Sequence, residues 1–385
     1  MQKTQASNTT QNSFTKKKNS RLFYYVLVIV LILALGFILG WYVDFSEKKA
    51  RIVRQYKKTL IEKSEEQKLM APLKDTMIMP FINPIAFLYP QTNLCFDELE
   101  NFKPRVQNYI AKAITDKSID IVSVYFRDLT NGFWFGINER EKFSPASLNK
   151  VPVLIAVLKK AETNPSLLKE KIQYLGSETE NRLKQKPWVS MPRTKLKQLK
   201  YYTVEELLDY MIIHSDNDAT LLLLDRITDE YMRLVKKDLG FIDATDLASE
   251  SNYISVKAYS TFLRVLYNAS YLNKKYSNLA LEILSESDYP FGIRAAIPDE
   301  IQISHKYGER DHITEADEVQ IRQLHHVAIV YYAGKPFLLN IMTKGSNREK
   351  LQKVIKDIAE IVYQEVDTQV KQMPTCALER DKEKE

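Results

Sequence analysis

The chain reads as an α/β (α+β) protein. It has a mainly antiparallel, five-stranded sheet built from both chain ends and flanked by helices, with an all-α subdomain inserted between them. Three observations point there. Runs rich in β-branched and aromatic residues occupy 119–137 and return at 301–342, the stretch between them carries helical spacing, and a long helical pattern closes the chain.

In order, Phe96 to Thr115 reads as a first helix. Ile119 to Asp128 and Phe133 to Ile137 form a hairpin, because Asn131-Gly132 between them is a tight-turn pair. Lys142 to Lys160 contains a helix that carries the apolar run Val151-Pro152-Val153-Leu154-Ile155-Ala156-Val157-Leu158. Thr203 to Leu224 reads as helix, loop, helix around Ser215-Asp216-Asn217, and Ser255 to Leu272 as another helix. Three strands follow at Ile301 to Tyr307, His326 to Tyr332 and Phe337 to Met342, with Ala333-Gly334-Lys335-Pro336 turning between the last two. Arg348 to Val366 is the closing helix, with Leu351, Val354, Ile355, Ile358 and Val362 on one face.

Length and charge bound the rest. The 385 residues hold one large domain plus extensions. The net charge of +6 comes from scattered lysines matched by acids, with no aromatic-interleaved basic stripe, so nucleic acid is not an expected partner. Leu22 to Val43 is an apolar run without a charge, long enough for the roughly 20 residues that span a bilayer. Lys16, Lys17, Lys18 and Arg21 precede it, and Trp41 and Tyr42 sit at its far end. That polarity predicts a cytoplasmic tail (1–21), an anchor (22–43) and an external domain. No small-x-small cleavage site follows the run, which favours an uncleaved anchor over a signal peptide. Residues 44–91 read as a stalk, helical or a solvated spacer, 92–372 as the folded domain and 373–385 as a charged disordered tail. The five histidines show no ligand spacing, and His325-His326 reads as a strand-face pair rather than a metal site. Neither metal nor cofactor is expected.

Ser147-Leu148-Asn149-Lys150 is the most informative string. Residues three apart share a helix face, so a hydroxyl and an amine point at each other. A serine needs a base beside it to act as a nucleophile, and a lysine serves when its ammonium is destabilised. A helix N-terminus adds backbone N–H groups for a developing oxyanion.

Two further strings come in order: Ser215-Asp216-Asn217, then Lys306-Tyr307-Gly308 closing the strand-like run Ile301-Gln302-Ile303-Ser304-His305. S-x-x-K, S-D-N and a K-x-G strand together resemble the class A β-lactamase and penicillin-binding serine hydrolase superfamily. The resemblance spans Phe96 to Val366. Phe291-Gly292-Ile293-Arg294-Ala295-Ala296-Ile297-Pro298 and Leu339-Asn340-Ile341-Met342-Thr343-Lys344-Gly345-Ser346 are similar to the family's flanking text.

The resemblance implies roles. Ser147 is the nucleophile, Lys150 its base and Ser215 a proton relay toward the leaving group. Asn217 binds the substrate's amide and touches Lys150, while Asp216 is structural. Lys306 projects into the cleft as a cation for the substrate carboxylate, and Gly308 lets the substrate backbone approach. The backbone N–H groups of Ser147 and Glu309 form the oxyanion hole. First and last helices side by side make a Cys95–Cys376 bridge conceivable, two free thiols being the alternative.

Two departures stand out. Tyr307 takes the place of a small hydroxyl residue that binds the substrate carboxylate, and Arg310 is either its replacement or a surface ion-pair residue. Gly240 to Tyr253 is short and lacks the E-x-x-L-N motif of the class A deacylating loop, leaving Asp243, Asp246 and Glu250 as its only carboxylates. The implied function is a membrane-anchored, extracytoplasmic serine hydrolase acting through an acyl-serine on β-lactams or D-alanyl amides and esters. Its partners are then a β-lactam or peptidoglycan-like peptide and the membrane. The alternatives are a D,D-peptidase or esterase, or a penicillin-binding sensor that acylates without turnover.

Overall fold

A computed structural model describes residues 81–83, 99–176, 188–189, 195–240, 254–313 and 319–382. The helix α1 (Leu99–Ala113) buries Phe102, Val106 and Ile110, which recur every fourth residue on one face. The strands β1 (Ile119–Asp128) and β2 (Trp134–Ile137) pair antiparallel across the Asn131-Gly132 turn, where Gly132 takes φ +83°. A short strand β3 (Lys142–Phe143) leads to a 3-10 turn at Ala146–Asn149 and then to α2 (Lys150–Thr163).

The inserted part follows. The two-residue strand β5 (Trp188–Val189) lies in sequence between β4 (Lys171–Gln173) and β6 (Tyr201–Thr203), which pair with each other. The helices α3 (Val204–Ile213), α4 (Asn217–Leu224) and α5 (Asp229–Asp238) come next. Thr203 opens α3 with a reciprocal capping box to Glu206. The strand β7 (Ile254–Ser255), which pairs with β3, precedes α6 (Val256–Tyr267) and α7 (Lys274–Ser285). Three long strands, β8 (Ile303–Ile313), β9 (Val319–Val330) and β10 (Phe337–Gly345), and the helix α8 (Arg348–Lys382) complete the chain.

The sheet order is β2-β1-β10-β9-β8-β5 and every pairing is antiparallel, so the expected five strands are joined by the two-residue β5 at one edge. The first long strand lies beside the last, as expected of a sheet made from both chain ends. The pleat sorts β10 between two cores. Phe337, Leu339 and Ile341 pack with α1 and α8, whereas Leu338 and Met342 pack with the inserted helices. Within the second core α2 is buried on every side from Val151 to Leu158.

Four boundaries differ from expectation. Both β8 and β9 run well beyond their apolar segments, because Asp311 and Arg322 face each other in register and pair at 3.6 Å. The closing helix continues past Val366, where Gln369 is buried and accepts from the buried Lys335, and on to Lys382, into the tail expected to be disordered from 373. Residues 81–83, assigned to the stalk, already pack on the domain: the Phe81 N–H donates to Asn278 Oδ1 at 3.3 Å and that of Asn83 to the Tyr267 carbonyl at 2.7 Å. The anchor at 22–43, Cys95, the side chain of Cys376 and the carboxylates Asp243, Asp246 and Glu250 lie outside the described residues. Among the described residues no helix is long and apolar enough to cross a membrane.

Candidate active site

Ser147 stands in the 3-10 turn and Lys150 opens α2, so the helix expected within 142–160 has a 3-10 first turn. Pro145 and the following Ala146 set that start: Ala146 takes φ +49°, outside the right-handed helical region. In a 3-10 turn residues three apart eclipse. Lys150 Nζ therefore lies 3.1 Å from Ser147 Oγ. Only 4% exposed, Lys150 is held from the inserted helices as well. Its Nζ donates to the Ser215 carbonyl and to Asn217 Oδ1, each at 2.7 Å, and lies 3.2 Å from Ser215 Oγ.

Ser215 is buried and has φ +55°. A non-glycine residue there stores about 1–3 kcal/mol, and such strain concentrates where a site is pre-organised. Capping of α4 falls to Asp216, not Ser215. Asp216 Oδ1 accepts from the Ala219 N–H at 2.9 Å and Oδ2 from the Lys195 N–H at 2.6 Å, the structural role expected of it.

The pleat of β8 sorts the third motif. Gly308 and Arg310 face the turn that carries Ser147. A Cβ on Gly308 would stand 2.8 Å from the Pro145 carbonyl oxygen, so the close approach this glycine permits is to that turn. Arg310 Nη1 donates to Ser144 Oγ at 2.8 Å. Lys306, expected to project into the cleft, is fully buried, with Nζ 4.5 Å from the Tyr307 ring centroid. Tyr307, placed in the substrate-binding set, lies on the opposite face. It is 5% exposed and stacks on Tyr289 at 3.8 Å between centroids, a packing position. Beside it the Glu309 carboxylate takes two bonds from Arg348, Nε at 2.5 Å and Nη2 at 3.1 Å, which anchor the start of α8 to this strand.

Several residues that hold the turn escaped sequence reasoning. Tyr259, on α6, donates its hydroxyl to the Leu148 carbonyl at 2.8 Å. Gln323 Oε1 accepts from the Ser144 N–H at 3.0 Å, and His325 Nε2 donates to the Ser144 carbonyl at 2.9 Å. His325 Nδ1 accepts from the Thr343 N–H, which fixes that tautomer. Burial pushes the His325 imidazole down to about 4, so it is neutral at ordinary pH. His326, on the other face, accepts at Nδ1 from the Ile293 N–H and meets His305 at 2.9 Å through Nε2. The two histidines thus face opposite sides of β9 rather than pairing on one face.

A hydroxyl, a buried amine in contact with it and a second hydroxyl on the same amine are groups able to pass a proton among themselves. A family model described as the beta-lactamase enzyme family matches residues 104–366. Among solved structures, PBP-A is similar at 19% identity and a TM-score of 0.57, covering 69% of this chain and 96% of that one. A mutant of PBP-A, as its acyl-enzyme complex with penicillin-G, gives 18%, 0.58, 70% and 97%. The class A beta-lactamase from Mycobacterium abscessus gives 20%, 0.55, 67% and 98%. At such identities the likeness concerns the fold. No curated protein matches the chain.

Proposed function

The chain belongs to the beta-lactamase enzyme family, and we propose that it is a membrane-anchored, extracytoplasmic serine hydrolase that forms an acyl-Ser147 intermediate on β-lactams or related D-alanyl amides and esters. The observation that carries the reading is Lys150 Nζ, buried and 3.1 Å from Ser147 Oγ while also touching Ser215 and Asn217.

In the proposed cycle the neutral Lys150 amine takes the Ser147 proton as Oγ bonds to the substrate carbonyl carbon. The backbone N–H groups of Ser147 and Glu309 receive the oxyanion, where one lost donor typically costs about 3–4 kcal/mol. The C–N bond, or the C–O bond of an ester, then breaks. Lys150 returns the proton through the Ser215 hydroxyl to the leaving atom. Water hydrolyses the acyl-serine in a second step. Asn217 orients the substrate amide, Lys306 supplies positive potential and Gly308 keeps the strand close to the turn. Membrane attachment rests on the apolar run 22–43 and its basic flank.

A second reading, acylation without efficient turnover, is favoured by the segment 241–253, whose sequence lacks the class A glutamate motif. Intact-mass measurement of the full chain incubated with a penicillin tests both. The expected result is one covalent adduct, lost in Ser147→Ala. An adduct that persists in that variant would remove Ser147 from the mechanism.

A further inference from the structure

We propose that Ser144 is a positioning residue of the nucleophile turn, gripped by Gln323, His325 and Arg310 so that Ser147 is held against Lys150. The inference rests on Ser147 being the nucleophile. Ser144 lies between β3 and the 3-10 turn, outside both. Neither its N–H nor its carbonyl belongs to a ladder or a helix, and Ser144 is buried, so each needs another partner. All three of its polar groups are met by side chains of the main sheet. The N–H donates to Gln323 Oε1 at 3.0 Å, the carbonyl accepts from His325 Nε2 at 2.9 Å, and Oγ accepts from Arg310 Nη1 at 2.8 Å. Gln323 and His325 share one face of β9, and Arg310 is the register partner of Gln323 on β8, so the grip spans two neighbouring strands.

The turn needs such a hold. Ala146 sits at φ +49°, a conformation that persists only where the surroundings over-determine it. Downstream, Lys150 and the Tyr259 hydroxyl fix the turn from the helices. Upstream, Pro145 brings no N–H, and its carbonyl accepts from the Leu148 N–H at 3.0 Å within the turn itself. Ser144 is therefore where the upstream end is fastened to the sheet. The strained residue and Ser147 lie between two fixed points on opposite sides of the site, which pre-organises Oγ for attack.

The test uses the purified full-length chain and a fluorescent penicillin, with the acylation rate followed as a function of concentration. Ser144→Ala removes the Arg310 bond and Gln323→Met the acceptor for the N–H. Gln323→Glu keeps that acceptor in nearly the same shape. In Ser144→Ala and Gln323→Met the limiting acylation rate is expected to fall about 10–100-fold with the half-saturating concentration within twofold. Gln323→Glu is expected to recover most of the rate, which a loss of packing would not. Hydrogen exchange without any ligand gives a second readout. The Leu148 amide should exchange about tenfold faster in the two weakened variants, with α2 interior amides unchanged. Wild-type acylation rates in both weakened variants, an unchanged Leu148 amide, or equal damage in Gln323→Met and Gln323→Glu would each overturn the proposal. A wild-type chain that takes no penicillin would instead sink the reaction assigned above, while the exchange result still decides the grip.

Discussion

Replacing Gly308 with alanine presses a methyl group into the nucleophile turn. The added Cβ would stand 2.8 Å from the Pro145 carbonyl oxygen, 3.0 Å from Leu148 Cγ and 3.1 Å from the Leu148 nitrogen. Gly308 is not at positive φ, so the backbone accepts alanine and the effect is one of contact. Two of the three atoms are backbone and cannot rotate away. Restoring an ordinary separation of about 3.4 Å means moving the turn by about 0.6 Å. Overpacking of this kind costs about 1–3 kcal/mol, a drop of several degrees in Tm for a domain of this size. The same shift carries Ser147 away from Lys150. A misplacement of about 1 Å costs on the order of 100-fold in rate, so about tenfold is expected here. Stopped-flow acylation at saturating penicillin and a thermal melt measure the two effects. Were Gly308 instead to serve substrate approach, half-saturation would rise with the limiting rate intact. An unchanged rate and an unchanged Tm would refute the packing argument altogether.

Lys150→Met keeps the apolar volume of a buried side chain while deleting the base, and should slow acylation by about 10²–10⁴-fold; more than a tenth of wild-type rate would exclude Lys150 as the proton acceptor. Burial holds the imidazoles of His305, down to about 3, His325, down to about 4, and His326 below the usual value. The unfolded chain takes up those protons near pH 6.5 and the folded one does not, so this stability is complete above about pH 7 and is lost as pH falls. From pH 7 to 5 His305 and His325 cost about 2 kcal/mol each, and His326 acts in the same direction. Asp209 offsets part of this, its carboxyl being raised to about 6 by burial and by Glu205. Urea midpoints should fall steeply over that range, and a flat profile would show that the histidines are not buried neutral. Pre-steady-state kinetics with a penicillin should show a burst near one equivalent and then a slow phase, since base assistance to water is worth about 10²–10⁴-fold. Linear turnover without a burst, unaffected by alanine at Asp243, Asp246 and Glu250, would refute the argument from that segment.

Ser147 and Lys150 were legible because their spacing is local and three-residue spacing brings side chains together in either kind of helical turn. Ser215 and Asn217 were legible as a string, but their meeting with Lys150 spans 65 and 67 positions and needed the resemblance. Tyr307 shows where motif reading breaks. A motif assigns a residue to a site, whereas the pleat assigns it to a face, and here the face belongs to Tyr289 and α8. The lengths of β8 and β9 were hidden because Asp311 and Arg322 look like loop residues until the register pairs them. Nothing in the sequence marks Gln323 as a partner of Ser144, since that bond joins residues 179 positions apart and one member is backbone.

The pairing of Ile119 with Gly345 sets an order of events for a chain made from its N-terminus. The strand β1 has β2 at hand, but its other neighbour is the last strand to emerge. Until then its β10-facing edge is an open row of backbone donors and acceptors, which invites pairing with another chain. Closing so long a loop also makes the sheet slow to assemble. A chain halted before Phe337 lacks the strand that joins its two ends, and the loss reaches Ser147 through the sheet beneath it. Truncations there should accumulate as aggregates or be degraded, and a helper that shields the β1 edge would raise the yield of intact protein.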